Sequence, residues 1–113
     1  MTKEMIDSAM KEYAKGAKEV YGDKLKEVIL YGSCARGDFT DESDVDVMIL
    51  LDISPEMASK ERGKIHPTID ILDEKYGYEL LFATMVKSYR EFNEWLDAKP
   101  FYMNIRKEGI RYA

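Results

Sequence analysis

Apolar residues recur every three or four positions through the first twenty-one residues of the chain. This spacing places them on one face of an amphipathic α-helix, because a helix turns once every 3.6 residues. Lysine and glutamate residues fill the positions between them, and the apolar positions are Met5, Ala9, Met10, Tyr13, Ala14, Ala17, Val20 and Tyr21. Gly22 and Asp23 favour a turn and are expected to end the helix.

Two short apolar runs separated by a polar connection follow this helix. Residues 28–31 are β-branched, aliphatic and aromatic, which predicts a buried strand. Residues 33–36 are predicted to form a short helical turn that the next glycine stops, and residues 38–43 a polar loop. Residues 45–51 then predict a second strand, apolar on both faces apart from Asp46.

The next helix is predicted to run from Pro55 to Lys75. Ser54 is a typical N-cap residue, and proline is favoured at the first helical position. Pro67 lies inside this span and is expected to kink or split the helix near His66, because proline has no N–H and its ring clashes with the preceding turn.

The last third of the chain alternates again between strand and helix patterns. Residues 78–84 predict a third strand, residues 88–96 and 100–107 two helices, and residues 110–112 a short edge strand. Helices and strands are therefore mixed along one short chain, which indicates an α+β domain.

Composition restricts the classes of function. The 113 residues are expected to form a single domain, 1–113, with one hydrophobic core. The 22 Asp and Glu residues outnumber the 17 Lys and Arg residues, giving a net charge of −5, so binding of a long nucleic acid through its phosphates is disfavoured. The sequence has no signal peptide pattern and no apolar run long enough for a membrane span, so we expect a cytoplasmic protein. The single cysteine, Cys34, cannot form an internal disulfide.

Asp44 and Asp46 are the main candidates for metal binding. They are two residues apart at the start of a predicted strand, so their side chains leave the same face and can share one divalent cation. Two carboxylates without a cation would be costly at the edge of the core. An EF-hand loop starting at Asp38 is excluded, because Ser43 stands where that loop needs glycine and no glutamate stands at its twelfth position.

Gly32 and Ser33 are the candidates for phosphate binding. Glycine lets a phosphate approach the main chain closely, and Ser33 adds a hydroxyl and an N–H at the start of a turn. Arg36 has two readings that stay open here: it reaches a bound triphosphate, or it pairs with Asp38 or Asp44 and holds the loop. Cys34 and His66 are better explained as a packed turn residue and a helix residue than as catalytic groups.

The motif Gly32-Ser33, followed by Ala35-Arg36-Gly37-Asp38 and Ser43-Asp44-Val45-Asp46, resembles the signature of the polymerase-beta-type nucleotidyltransferase superfamily. The fuller pattern is similar to its smallest branch, the minimal nucleotidyltransferases. The resemblance implies a small mixed β-sheet with a helix-strand-helix-strand-helix-strand core flanked by helices. It also implies an enzyme that uses Mg²⁺ and transfers AMP from ATP to a hydroxyl group.

Glu79 is the candidate for a third carboxylate. Two-metal transfer usually needs a third carboxylate as ligand or base, and Glu79 is the only charged residue in the predicted third strand. In the resembling family that strand carries an acidic residue after an aromatic one, as in Tyr78-Glu79. The alternative is an edge-strand glutamate that faces water. A glutamate where the superfamily more often has aspartate leaves open whether the protein is catalytically active.

The resemblance further implies a partner, because minimal nucleotidyltransferases are often encoded beside a HEPN-domain protein. The first hypothesis is an antitoxin-like enzyme that places AMP on a tyrosine of a HEPN-type ribonuclease. The second is a binding module that keeps the fold and neutralises this partner by contact alone. The third is a modifier of small molecules, similar to aminoglycoside nucleotidyltransferases. The sequence leaves open the preferred NTP and whether a homodimer forms.

Overall fold

The computed structural model describes residues 1–113 and contains six helices and four strands. In chain order they are α1 Lys3–Tyr21, β1 Leu25–Tyr31, α2 Ser33–Arg36, β2 Val45–Leu51, α3 Pro55–Glu61, α4 His66–Lys75, β3 Phe82–Ser88, α5 Tyr89–Glu94, α6 Pro100–Glu108 and β4 Ile110–Arg111. Short 3₁₀ turns occupy Gly22–Lys24 and Arg62–Ile65. None of the helices combines the length and apolar character that a membrane span requires. The expected α+β class is confirmed.

The four strands form one mixed sheet in the order β3-β2-β1-β4. Strand β1 is antiparallel to β2 and β4, whereas β2 and β3 are parallel. In this register Asp46 lies opposite Tyr31 on β1 and beside Ala83 on β3. Residues in register on neighbouring strands point to the same face, so these three side chains share one face of the sheet.

Helices cover both faces of the sheet. On one face α1 buries its apolar stripe against the odd-numbered residues of β2, with Tyr13, Val47 and Ile49 almost inaccessible to solvent. On the other face Met48 and Leu50 pack against Phe92 and other residues of α5 and α6. Burial on both faces explains why β2 is apolar along nearly its whole length.

Local chemistry sets several of the helix boundaries. Thr2 caps α1, its hydroxyl accepting a hydrogen bond from the Met5 N–H at 3.1 Å. The helix predicted between Pro55 and Lys75 is split by the 3₁₀ turn Arg62–Ile65, and Pro67 lies in the first turn of α4, where its missing N–H costs nothing.

The predicted bounds of the third strand, residues 78–84, are wrong. Strand β3 is Phe82–Ser88, and Tyr78, with φ 60°, lies in the turn that precedes it. The Glu79 N–H donates to the Tyr76 carbonyl, which holds Glu79 in this turn and outside the sheet. Pairing with β2 begins where the Leu81 carbonyl accepts a hydrogen bond from the Val45 N–H at 2.8 Å.

Candidate active site

Gly32 forms a sharp corner between β1 and α2 and touches the carboxylate of Asp46. Its φ of 72° lies in the region that side chains disfavour. A Cβ at this position would stand 2.3 Å from Asp46 Oδ2, so any side chain would displace that carboxylate. The glycine of the Gly-Ser motif is therefore required both by the backbone and by its contact with Asp46.

The short helix α2 is tied to the start of β2. The N–H groups of Ala35 and Arg36 donate to the Gly32 carbonyl, each at 3.1 Å. The buried Cys34 thiol donates to the Asp44 carbonyl at 3.4 Å. These bonds place Ser33, the first residue of α2, at the same end of the sheet as Asp44. The two halves of the sequence motif therefore meet in space.

Asp44 and Asp46, which we call the carboxylate pair, carry negative charge that no protein cation neutralises. Asp44 is exposed, Asp46 is partly buried, and neither side chain makes an ion pair. Burial raises the pKa of Asp46 above its usual range, and the charge of Asp44 raises it further, while Arg36 partly offsets this. Oxygen ligands with unbalanced charge suit a hard cation such as Mg²⁺.

Arg36 is held beside the site by two acidic partners. Its guanidinium lies 3.3 Å from Asp38 and 3.5 Å from Glu108. The hydrogen bond that Arg36 donates to Asp38 raises the pKa of Arg36 above its ordinary value. Of the alternatives that the sequence left open, pairing with Asp38 is therefore observed, and pairing with Asp44 is not. Contact of Arg36 with a triphosphate stays a prediction.

The three carboxylates predicted to bind metal are not brought together. Asp44 and Asp46 are adjacent in space, but Glu79 lies on the exposed turn before β3, where its charge contributes to raising the pKa of the Met1 amino group. No group of three His, Cys, Asp or Glu side chains is arranged to hold a metal ion. The strand position in register with Asp46 is occupied by Ala83. The assignment of Glu79 to a strand facing the site is thus corrected.

Tyr31 is a site residue that the motif did not identify. It lies opposite Asp46 in the sheet, and burial together with the charge of Asp46 raises its pKa to about 12. Its ring meets the half-exposed Phe101 of α6 edge-on, with 5.8 Å between ring centroids. Tyr31 could have been identified from the sequence, because it directly precedes Gly32 of the motif. Phe101 is distant in sequence, and only the fold brings it next to Tyr31.

The other residues weighed as catalytic groups lie in structural positions. Burial and the two aspartate charges raise the pKa of the Cys34 thiol, which disfavours the reactive thiolate. His66 is exposed at the start of α4. Neither residue forms a nucleophile and base pair, so the carboxylate pair is the site with the clearest chemistry.

Comparisons with known proteins show the family of the chain. The sequence pattern of the nucleotidyltransferase domain family matches residues 10–112. Two relatives from Methanocaldococcus jannaschii bear the name "Putative protein adenylyltransferase". One is 32% identical over 106 residues, covering 91% of this chain and 93% of the relative. The other is 34% identical over 93 residues, covering 82% of this chain and 62% of the relative. The chain therefore belongs to the nucleotidyltransferase domain family, among its minimal nucleotidyltransferases.

Proposed function

We propose that this nucleotidyltransferase binds Mg²⁺ through Asp44 and Asp46 and transfers AMP from ATP to a hydroxyl group of a partner protein. The observation that carries the proposal is the carboxylate pair, which makes no ion pair with a protein cation and touches the Gly-Ser corner. The names of the relatives support a protein as acceptor.

Each residue of the site has a distinct task in this proposal. Asp44 and Asp46 would hold Mg²⁺, which would supply positive charge to the triphosphate when bound. Gly32 lets the phosphates approach the backbone, and Ser33 offers its hydroxyl and N–H to them. Arg36, held by Asp38 and Glu108, presents a positive charge beside the same corner. Catalysis then consists mainly of positioning and electrostatic stabilisation.

The acceptor we propose is a HEPN-domain protein, with an antitoxin-like outcome. The helices of the structure pack on the two faces of its sheet, which leaves no separate lobe within these 113 residues to position an acceptor. A folded partner can supply that positioning, which is a large part of the catalysis of group transfer.

A binding module without catalysis is the second candidate. It is favoured by one observation: Ala83 stands where a third carboxylate would face Asp46. Under this hypothesis the chain binds its partner, and the partner is silenced without modification.

Intact-protein mass spectrometry of the chain mixed with the HEPN-domain protein and Mg-ATP separates these functions. We expect the partner to gain the mass of at least one AMP. Asp46→Asn or Ser33→Ala should lower the rate at which the modified partner forms by at least about a hundredfold. Asp52→Asn is the matched control, because Asp52 is an exposed aspartate directly after the opposite end of β2. It should leave the mass gain unchanged.

Two results would replace the proposal. Tight binding that silences the partner without any change of mass would favour the binding module. Transfer of a nucleotide to an aminoglycoside, with no effect on the partner, would favour the small-molecule enzyme.

A further inference from the structure

Strand β3 has a free edge. It is the outermost strand of the sheet and pairs only with β2. The Leu81 carbonyl points to β2, where it accepts the Val45 N–H. Because backbone groups alternate in direction along a strand, those of Phe82, Thr84 and Val86 face away from β2. An edge of this kind is a ready template for another strand.

A groove runs along this edge. One cavity of about 400 Å³ lies between α3 and the second half of β3, and another of about 160 Å³ lies between the start of α4 and the first half of β3. Arg62 and Thr84 line both cavities, so the two lie next to each other along the edge. We call this feature the edge groove.

The charge of the edge groove differs from that of the whole chain. Arg62 and Lys87 line it, and neither makes an ion pair, although acidic residues exceed basic ones in the sequence. Glu91 is the only acidic residue among the lining residues of the two cavities. Unpaired cations favour an acidic occupant. A second copy of this chain would bring a second Arg62 and Lys87 to the groove, which disfavours self-pairing.

The edge groove is also next to the candidate active site. Ala83 lies between Asp46 and the free edge, on the same face of the sheet as Asp46. Strands are spaced about 4.8 Å apart, so a strand added to β3 would lie roughly 10 Å from β2. Ala83, the β3 residue in register with Asp46, has a single methyl group as its side chain, so a long side chain on the added strand can lie across it toward Asp46.

We propose that the edge groove binds an extended, acidic segment of the acceptor protein, which adds to β3 as a fifth strand and directs a hydroxyl-bearing side chain across Ala83 toward Asp46. This inference rests on the proposed function. The acceptor oxygen forms a bond to the α-phosphorus of ATP while the bond from that phosphorus to the bridging oxygen breaks. Pyrophosphate leaves with the bonding electrons, and the hydroxyl proton is released to solvent.

Fluorescence anisotropy with two labelled peptides tests the groove directly. The acidic peptide has eight residues, one tyrosine flanked by alternating valine and glutamate, and the basic peptide replaces every glutamate with lysine. We expect the protein to bind the acidic peptide at least about tenfold more tightly, since two cations line the groove. The double variant Arg62→Glu with Lys87→Glu should invert this preference.

The matched control is Lys60→Glu with Arg90→Glu. It changes the net charge by the same amount, but both residues are exposed, make no ion pair and lie outside the lining of the groove. The control should keep the preference for the acidic peptide. Equal loss in the two double variants would show that overall charge, and not the groove, attracts the peptide, and would overturn the proposal.

Hydrogen exchange on the unmodified protein tests strand addition. The amides of Thr84 and Val86 should exchange more slowly when the acidic peptide is bound, whereas the Met85 amide, which faces β2, should change little. Absence of binding, or binding without this protection, would overturn the proposal.

Failure of the proposed function has a different signature. If the acidic peptide binds as expected but neither it nor the partner protein ever gains AMP, the docking site stands and the transferase proposal fails. If the partner gains AMP equally with the wild type and with the Arg62→Glu, Lys87→Glu variant, the transferase proposal stands and the docking site fails.

Discussion

Two carboxylates on the same face of the sheet differ in whether a cationic side chain pairs with them. Glu27 on β1 is almost fully buried, and Arg106 of α6 binds it with two hydrogen bonds of 2.8 and 2.9 Å. Asp46, at the other end of this face, has no cation in contact and lies beside the like charge of Asp44. Folding therefore pairs the charge of Glu27 and leaves that of Asp46 without an ion pair. Unbalanced charge of this kind marks functional sites.

At the Glu27 end of the sheet, the charged side chains contact one another and the core. The Arg106 guanidinium also lies over the ring of Phe92, 5.1 Å from its centroid, and the hydrogen bonds to Glu27 raise the pKa of Arg106. Arg111 of β4 also approaches Glu27, at 3.8 Å. The comparison predicts that changes at this end affect stability, whereas changes at the Asp46 end affect ligand binding.

The largest expected effect on stability is that of Arg106→Ala. It leaves Glu27 buried without its main partner, and such a loss costs about 3 kcal/mol of unfolding free energy. Arg111→Ala is the control and should cost less than about 1 kcal/mol, because the Arg111 side chain is 63% exposed and reaches Glu27 only at 3.8 Å. Its hydrogen bonds to the Ala113 and Lys26 carbonyls are exposed to solvent. Urea unfolding of both variants measures the difference, and equal losses would mean that Glu27 does not depend on the bidentate pair.

The second prediction concerns position 83, which is beside Asp46 in the sheet and carries no carboxylate. Ala83→Asp places a carboxylate in register with Asp46 and should tighten Mn²⁺ binding about tenfold, since metal affinity rises with the number of charged ligands. Ala83→Asn has nearly the same shape without the charge and should change Mn²⁺ affinity little. Calorimetric titration with Mn²⁺ distinguishes them. No gain in the aspartate variant would show that the carboxylate pair is not where the ion binds.

A smaller effect is expected from Asp46→Asn in the absence of metal. Burial and Asp44 raise the pKa of Asp46 in the folded state, so its ionised form opposes folding above that pKa. The variant should melt about 1 to 3 °C higher than the wild type at pH 7 in EDTA. The gain should shrink as the pH falls toward 4, because the carboxyl of the wild type then takes up its proton. Calorimetric melting across this pH range is the measurement, and a large loss of stability in the variant would make Asp46 structural.

The smallest effect is expected at Glu79. This residue lies on the exposed turn outside β3, so Glu79→Gln should leave AMP transfer within about twofold of the wild type. A loss near a hundredfold, the size typical of a general base, would restore Glu79 to the site and require movement of the turn. Initial rates of partner modification decide between these outcomes.

The sequence predicted those parts of the fold that local chemistry controls. The bounds of Ser33–Arg36 and Val45–Leu51 are those expected, because glycines, polar residues and a continuous apolar run mark them. The spacing of Asp44 and Asp46 likewise predicted that their charges lie close together, which agrees with the effect of Asp44 on the pKa of Asp46. Their assignment as magnesium ligands stays a prediction until binding is measured.

Features that depend on distant segments were not predictable in this way. Strand β3 begins four residues later than expected, because its pairing with Val45, and not its own apolar pattern, sets its start. The strand also continues four residues past its predicted end at Thr84, and Ser88, predicted as the first residue of the next helix, is its last residue. The approach of Glu108 to Arg36 also follows from the packing of α6, which no local pattern encodes.

The central claim is that the charge on Asp44 and Asp46 serves a bound cation and its nucleotide. Isothermal titration with ATP in Mn²⁺ or Mg²⁺, set beside the same titration in EDTA, tests it most directly. We predict binding that needs the metal and that disappears in the double variant Asp44→Asn with Asp46→Asn, while the Asp52→Asn control binds as the wild type does. Equal ATP binding in EDTA, or undiminished binding by the double variant, would contradict the claim.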